Sequence, residues 1–289
     1  MIQAMKRCFS TLGCAELGLD EVIALARRHK IDVIELRALG GTIDLPGYFS
    51  DEFGTPDKLA KHILKAGVPV TALDTSLKLN GSTDQEWLET IEAFLPWAEA
   101  MGGVDLRVFD GSKTNDETST TIMADRVDWW QQLRARSGWQ SDIMIEIHDS
   151  LFTAAANLAL IAKAPAARIL WDSHHTWKRG GEDPVTTWRA IATHVVHIHV
   201  KDSISMPSAR HPFTYVLPGE GEFPTGPIME LLGKEYAGVV SLEWEKLWHP
   251  YLPPSMSRWL QPTNAPGGEV LDYAAFGRPQ IGIGTEGLF

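Results

Sequence analysis

The chain has 289 residues, of which 44% are hydrophobic and 22% are charged, and its formal net charge is −11. This composition is typical of a globular protein and excludes a disordered chain. No apolar run approaches the roughly 18 residues of a transmembrane helix, and the start of the chain lacks the apolar segment of a signal peptide. We therefore expect a cytoplasmic protein with no membrane partner. The negative charge also argues against a nucleic-acid partner, because phosphate binding needs a basic face.

Short runs rich in β-branched residues alternate along the chain with longer segments whose apolar residues recur at helical spacing. This alternation predicts repeated β-α units around a parallel sheet. Helices are predicted at 19–29, 84–100 and 153–163, and Asp183 followed by Pro184 is typical of a helix start. The eight predicted strands are residues 7–10, 32–37, 68–74, 104–109, 143–148, 167–172, 195–200 and 238–244.

Eight strand-helix pairs in a chain of this length favour a closed (β/α)8 barrel, which usually takes about 250 residues. An open doubly wound sheet is the alternative, but the sequence has no G-x-G-x-x-G after its first strand and no G-x-x-x-x-G-K-[ST] motif. We predict an α/β fold with a single (β/α)8 barrel domain over residues 1–261. Glycine and proline interrupt residues 262–289, for which we expect an irregular C-terminal extension, either frayed or packed on the partner of a homo-oligomer.

Four polar residues, Glu146, Asp172, His199 and Glu243, lie at or near the ends of four different predicted strands. In a (β/α)8 barrel these C-terminal strand ends meet at one mouth, where the active site lies. Because side chains alternate between the faces of a strand, these residues can point into the barrel while neighbours such as Trp171 point out to the helices. The reverse assignment would bury several charges under helices, at a high cost for each.

Carboxylates that converge at one mouth repel one another, so such a cluster needs a cation. Three carboxylates with one imidazole form a mostly hard set of ligands. We therefore predict that the four residues bind one divalent metal ion, with Mn²⁺ as the first expectation and Mg²⁺, Co²⁺ and Zn²⁺ as alternatives. Each residue taken alone has a structural alternative, a salt bridge for a carboxylate or a hydrogen-bonded core position for the histidine. Their joint occurrence at strand ends favours the metal.

Five motifs that follow one another along the chain resemble the xylose isomerase-like TIM-barrel superfamily, and among its branches the sugar phosphate isomerase/epimerase branch is the most similar. The resemblance implies that Glu146, Asp172, His199 and Glu243 are metal ligands and that His175 supports a ligand or binds substrate. It also implies that the two glutamates act as acid and base on opposite faces of the substrate carbon. The motifs are Ile-Glu-Ile-His-Asp at 145–149, Trp-Asp-Ser-His-His at 171–175, His-Ile-His-Val-Lys-Asp at 197–202, Pro-Gly-Glu-Gly-Glu-Phe-Pro at 218–224 and Ser-Leu-Glu-Trp-Glu at 241–245.

The same superfamily contains DNA-repair endonucleases, whose trinuclear zinc site uses extra histidines at the ends of the third and fourth strands. In this chain the corresponding predicted strands end at Asp74-Thr75 and at Phe109-Asp110, without a histidine. Together with the net charge of −11, this difference leads us to expect no nuclease activity.

Two polar strand residues have two interpretations each. Arg107 could bind a substrate carboxylate or phosphate, or it could form a salt bridge inside the barrel with Glu35 or Asp105. Lys201 could contact substrate or, together with Asp202, cap a helix. Two histidines near the strand ends, His148 and His175, are also predicted to bind substrate. The predicted substrate-binding residues are therefore His148, His175, Arg107 and Lys201.

These residues predict a metal-dependent isomerase or epimerase that acts on a sugar or keto-sugar derivative. The metal would polarise a substrate carbonyl, and Glu146 and Glu243 would remove and return a proton through an enediolate intermediate. A metal-dependent lyase, either a dehydratase or a decarboxylase acting on a keto-sugar acid, is the first alternative. A non-catalytic sugar-binding barrel is the second. The expected partner in all three cases is a small-molecule carbohydrate.

Overall fold

The computed structural model of the chain describes residues 5–249 and 252. Ten strands lie within these residues, and eight of them form one parallel sheet. The strands are β1 (Lys6–Phe9), β2 (Ile34–Leu36), β3 (Val70–Lys78), β4 (Asp105–Phe109), β5 (Ile143–Glu146), β6 (Ile169–Asp172), β7 (Val195–Val200), β8 (Asp202–Ile204), β9 (Thr214–Val216) and β10 (Val239–Leu242).

The eight-stranded sheet has the order β1-β10-β7-β6-β5-β4-β3-β2, which leaves β1 and β2 as its two ends. These ends meet through a parallel bridge between Ser10 and Glu35, and the Val33 N–H donates a hydrogen bond of 3.2 Å to the carbonyl of Arg7. The sheet therefore closes on itself, which confirms the predicted (β/α)8 barrel. The predicted boundary at residue 261 and the extension at 262–289 lie outside the described residues.

Nine α-helices lie in the described part of the chain, and those that follow strands cover the outside of the barrel as predicted. The Asp183 carboxylate accepts a hydrogen bond of 2.9 Å from the Thr186 N–H, so it caps α8 as its position before a proline predicted. None of these helices is both long enough and apolar enough to cross a bilayer. The helices are α1 (Leu19–Arg28), α2 (Leu45–Phe53), α3 (Pro56–Ala66), α4 (Asp84–Ala100), α5 (Glu117–Ser137), α6 (Ala154–Lys163), α7 (Ser173–Lys178), α8 (Pro184–Ile191) and α9 (Thr225–Glu235).

The two faces of the barrel strands pack in different ways. Outward-facing residues join one large hydrophobic core with the helices, in which the rings of Trp171 on β6 and Trp188 on α8 lie 5.9 Å apart. On the inward face, Ala72, Met144 and Leu170 form a small separate apolar cluster. The alternation predicted from sequence is therefore present, and the apolar packing that holds the helices lies outside the sheet.

Two features of the strands differ from the sequence prediction. β3 continues to Lys78, beyond its predicted end at Asp74, because its pairing with β4 resumes after a shift in register. The antiparallel hairpin of β8 and β9 is inserted between β7 and α9, where no strand pair was predicted. The hairpin forms a separate two-stranded sheet and begins one residue after Lys201, so it lies next to the predicted site.

Replacement of the outward-facing Trp171 by alanine should destabilise the protein strongly. Trp171 is fully buried, and truncation of a buried tryptophan costs about 3–5 kcal/mol of unfolding free energy. The matched control is Leu64→Ala on α3, where the side chain is 82% exposed and the expected change is within about 0.5 kcal/mol. Urea unfolding followed by circular dichroism measures both values. Similar small losses for the two variants would contradict the outward assignment of Trp171.

Candidate active site

The structure brings together the four side chains predicted to bind a metal ion. Each of Glu146, Asp172, His199 and Glu243 offers a ligand atom that lies within 4.8 Å of those of the other three, and all four residues are buried. Glu146 and Asp172 end β5 and β6, His199 lies one residue before the end of β7, and Glu243 directly follows β10. The carboxyl ends of these strands share one end of the barrel, here called the mouth, which accounts for the convergence.

The polar atoms of this cluster fit a divalent cation. Buried polar atoms in proteins are normally hydrogen-bonded, yet each of the four side chains has one buried atom that makes no hydrogen bond of good geometry among the described residues. The close contacts of these atoms are with charged groups. Oxygen donors with one imidazole nitrogen suit Mn²⁺ and Mg²⁺, and also Co²⁺ and Zn²⁺. The four atoms are Glu146 Oε2, Asp172 Oδ2, His199 Nδ1 and Glu243 Oε2.

The charges at the mouth support the same fit. Six carboxyl groups and three permanent cations meet there among the described residues. Burial and the neighbouring Glu35 raise the pKa of Asp74 well above its ordinary value and favour its neutral form, so the other five carboxylates exceed the cations by two. A divalent ion would offset this excess, and buried charge without an opposite charge is costly. The carboxyl groups are those of Glu35, Asp74, Glu146, Asp172, Glu243 and Glu245, and the cations are Arg37, Arg107 and Lys201.

Lys201 is a buried ammonium group surrounded by carboxylates. Its Nζ lies 2.7 Å from Asp172 Oδ2, 2.5 Å from Glu243 Oε2 and 2.6 Å from Glu245 Oε1. Burial works to lower the pKa of Lys201, but Asp172, Glu243 and Glu245 raise it well above its ordinary value. Tyr215 on β9 donates a hydrogen bond of 3.1 Å to Glu245 Oε1, so the hairpin helps to fix the carboxylate that holds Lys201.

The pKa of Glu243 favours its ionised form. Burial works to raise the pKa of this carboxyl, but His199 and Lys201 outweigh burial and hold it below its usual range. For His199, burial works to lower the pKa, whereas Glu243 and Glu35 raise it well above its ordinary value. Glu243 therefore keeps the negative charge that a metal ligand needs.

Arg107 lies inside the barrel and forms ion pairs with two carboxylates. Its Nη1 lies 3.2 Å from Glu146 Oε2 and its Nη2 lies 3.6 Å from Asp74 Oδ2. The salt bridge considered from sequence therefore exists with different partners, since Asp105 pairs with Arg168 at 2.7 Å instead. Position along the strand explains the difference, because Asp105 lies at the start of β4, whereas Arg107 lies two residues further toward the mouth.

The two predicted substrate-binding histidines lie side by side at the mouth, with ring centroids 5.3 Å apart. His175 is buried, and its Nδ1 lies 2.8 Å from the carbonyl of Ile147. Burial, with Lys201 nearby, lowers the pKa of His175 well below its ordinary value. His148 is half-buried, and although burial works against its charged form, a hydrogen bond with Asp149 raises its pKa. A neutral and a basic imidazole therefore lie next to the carboxylate cluster.

Two buried aspartates that the sequence analysis did not assign to the site fix the loops around it. Asp110 accepts hydrogen bonds from the N–H groups of Asp149, Ser150 and Leu151 at 2.7, 2.8 and 2.8 Å, which holds the loop that follows His148.

Asp202 plays the same part in the glycine-rich loop. It accepts hydrogen bonds from the N–H groups of Gly219, Gly221 and Phe223 at 2.9, 3.0 and 2.9 Å. The alternative that Lys201 and Asp202 form a helix-capping pair is therefore wrong, because Asp202 binds this loop and Lys201 binds carboxylates. The sequence signal that could have identified these two residues is their position after a strand. Asp110 directly follows β4, and Asp202 lies two residues after the end of β7.

The comparisons with known proteins agree with this architecture. The family model described as a xylose isomerase-like TIM barrel matches residues 23–262. The chain belongs to this family. This result confirms the resemblance seen in the sequence motifs. No match to a curated protein was found.

Several solved structures share the fold at low sequence identity. The probable 3-DHS dehydratase AsbF of Bacillus anthracis, involved in petrobactin synthesis, is 20% identical with a TM-score of 0.70, over 83% of this chain and 93% of that chain. The IOLI protein with a bound zinc atom is 18% identical with a TM-score of 0.67, over 89% and 95% of the two chains. A xylose isomerase domain containing protein of Salmonella typhimurium LT2 is 15% identical with a TM-score of 0.67, over 88% and 93%. At these identities the similarity shows the fold alone.

Replacement of Arg107 by methionine should destabilise the metal-free protein. The change leaves the buried carboxylates of Glu146 and Asp74 without their shared cation, and removal of one partner of a buried ion pair costs about 3–5 kcal/mol of unfolding free energy. The matched control is Arg168→Met, which removes a more exposed pair with Asp105 and should cost about 1 kcal/mol or less. Urea unfolding of both metal-free variants makes the comparison. Equal losses would show that the charge of Arg107 is not needed to balance the mouth.

Proposed function

We propose that the chain is a divalent-metal-dependent isomerase or epimerase of a sugar or keto-sugar derivative. The observation that carries the proposal is the convergence of Glu146, Asp172, His199 and Glu243 at the mouth, with ligand atoms within 4.8 Å of one another. Membership of the xylose isomerase-like family supports a small-molecule carbohydrate as the substrate. The zinc atom in the structure of the IOLI protein, which has a similar fold, supports a bound metal ion.

In the proposed mechanism, Glu146, Asp172, His199 and Glu243 hold the metal ion, with Mn²⁺ as the first candidate. When bound, the ion supplies Lewis-acid polarisation of the substrate carbonyl, which acidifies the adjacent C–H bond and stabilises an enediolate. Glu243 accepts the proton from that carbon through its free oxygen, and Glu146 returns a proton from the other side of the substrate. Their strands, β10 and β5, are separated in the sheet by β7 and β6, so the two carboxylates approach from different sides.

The proposed substrate-binding residues surround this pair. His148 and His175 lie on the β5–β6 side of the mouth, and Lys201 lies on the β7 side in contact with Glu243. Arg107 holds Glu146 from within the barrel. We propose that the two histidines bind substrate oxygens and that Lys201 donates to an oxygen that develops negative charge.

A metal-dependent dehydratase acting on a keto-sugar acid is the second candidate. The observation that favours it is the ammonium of Lys201, which lies 2.5 Å from Glu243. Loss of water needs a base that removes the proton next to the carbonyl and an acid that protonates the departing hydroxyl group, and these two residues offer both in contact. The probable dehydratase AsbF has a similar fold.

The deciding experiment measures proton exchange with solvent. Metal-depleted protein and protein reconstituted with Mn²⁺ are each incubated in deuterated water with ketoses, aldoses and keto-sugar acids. We expect metal-dependent incorporation of deuterium at a single substrate carbon, detected by NMR and mass spectrometry. Deuterium in a sugar of unchanged composition indicates isomerisation or epimerisation, and a product that has lost water indicates the dehydratase. Failure of the protein to bind any divalent ion would overturn both candidates and favour a non-catalytic sugar-binding barrel.

A pair of variants separates proton transfer from metal binding. Glu243→Gln removes the basicity of a proposed acid-base residue, whereas Asp172→Asn makes the same change at a residue proposed only as a ligand. General acid-base groups contribute about 10²–10⁴-fold to rate, so Glu243→Gln should abolish solvent exchange even at saturating metal. Excess metal should partly restore Asp172→Asn. Equal rescue of both variants would mean that Glu243 serves only as a ligand.

A further inference from the structure

Glu35 is a fully buried carboxylate at the mouth that has no part in the proposed ligand set. It lies on β2, the strand that pairs with β1 where the barrel closes. Its Oε2 lies 3.1 Å from Nε2 of His199 and 2.7 Å from Nε2 of His197 on β7. The residue therefore touches a proposed metal ligand across the interior of the barrel.

We propose that Glu35 is a positioning residue that fixes which nitrogen of His199 faces the metal ion. This inference rests on the proposed function, because it takes His199 as a ligand. An ionised carboxylate accepts hydrogen bonds and donates none, so Nε2 of His199 carries the proton in this contact. The lone pair of a neutral imidazole is then on Nδ1, which is the nitrogen 3.1 Å from Glu243 Oε2 and 3.7 Å from Glu146 Oε1.

The contact does more than select a protonation state. A carboxylate that accepts the second N–H of a metal-bound histidine also fixes the plane of the ring and makes the other nitrogen a stronger donor. His199 is fully buried between Glu35 on one side and the ligand cluster on the other. The imidazole therefore connects the closure of the barrel at β2 with the proposed metal site near the ends of β5, β6 and β10.

His197 is the second contact of Glu35 and serves as an internal comparison. It lies two residues before His199 on the same face of β7, and the two rings are 5.5 Å apart. His197 approaches the same carboxylate oxygen but is not among the four clustered ligand residues. Loss of His197 therefore disturbs the buried network around Glu35 without removing the contact between Glu35 and His199.

Glu35, His197 and His199 also come close enough to one another to be considered as a second metal site. The contact of 3.1 Å between Glu35 Oε2 and His199 Nε2 is a hydrogen bond, and His197 Nε2 lies 2.7 Å from the same oxygen as an ion-pair contact. The carboxylate excess at the mouth is also offset by one divalent ion, and a second would reverse it. Both observations favour a hydrogen-bonding role for Glu35.

The first test measures metal affinity instead of activity. The probe is Mn²⁺, and its dissociation constant for metal-depleted protein is measured from the EPR signal of free Mn²⁺. Glu35→Gln keeps the shape of the side chain and removes its charge, so we expect affinity to fall about 10- to 100-fold, as for other residues that support a metal-bound histidine. His197→Gln should weaken binding less. Asp142→Asn, a buried carboxylate at the opposite end of the barrel that binds Trp130 and the Ile143 N–H, should leave affinity unchanged.

Unchanged Mn²⁺ affinity in Glu35→Gln would overturn the inference, as would equal losses in Glu35→Gln and His197→Gln. Failure of the wild-type protein to bind Mn²⁺ would instead overturn the proposed function, so the two failures are distinguishable.

The second test needs no variant. Zn²⁺-loaded wild-type protein with ¹⁵N-labelled histidine should show His199 with its proton on Nε2 and the ion on Nδ1 in long-range ¹H–¹⁵N spectra. Ligation through Nε2, or spectra that show a Zn²⁺ ion bound to His197 as well, would contradict the proposed role.

Discussion

The excess of buried carboxylates at the mouth of the barrel is the constraint on which the rest of the site depends. Each carboxylate that leaves water needs an opposite charge or several hydrogen bonds. Lys201 meets this need for Asp172, Glu243 and Glu245, and Arg107 meets it for Glu146 and Asp74. Even so, one buried atom on each of the four residues that converge on one point makes no hydrogen bond of good geometry among the described residues, and this is why the chemistry of the site favours a cation.

The fold separates the source of stability from the source of chemistry. The large apolar core lies between the outer face of the strands and the helices, where Trp171 and Trp188 pack together. The inner face carries small apolar clusters, one around Met144 and Leu170 and one formed by Cys8, Val33 and Val239. Because one face of each strand stabilises the barrel, the other face can hold charged groups that would destabilise a compact core. Single substitutions on the two faces should therefore have different consequences for folding and for metal binding.

Much of this arrangement could be predicted from sequence, because the relevant signals are local. A polar residue at the end of an apolar run identifies a strand end, and the alternation of side chains along the strand identifies the face on which that residue lies. These two signals are enough to predict that Glu146, Asp172 and His199 lie at one mouth. Contacts between distant segments carry no such signal. Glu35 and His199 are 164 residues apart, and nothing near either residue indicates the other. The partners of Arg107 were misjudged for the same reason, since they depend on the register of β3, β4 and β5.

The extension of β3 and the β8–β9 hairpin show a related limit. Both depend on pairing between neighbouring backbones, which residue preferences specify only weakly. The hairpin matters for the site because its residue Tyr215 binds Glu245, the carboxylate that also holds Lys201. Asp202, at the start of the hairpin, binds the backbone of the glycine-rich loop at the same time. A segment without a clear strand pattern thus helps to fix Lys201, which contacts both Asp172 and Glu243. The geometry of the mouth therefore depends on this insertion as well as on the barrel strands.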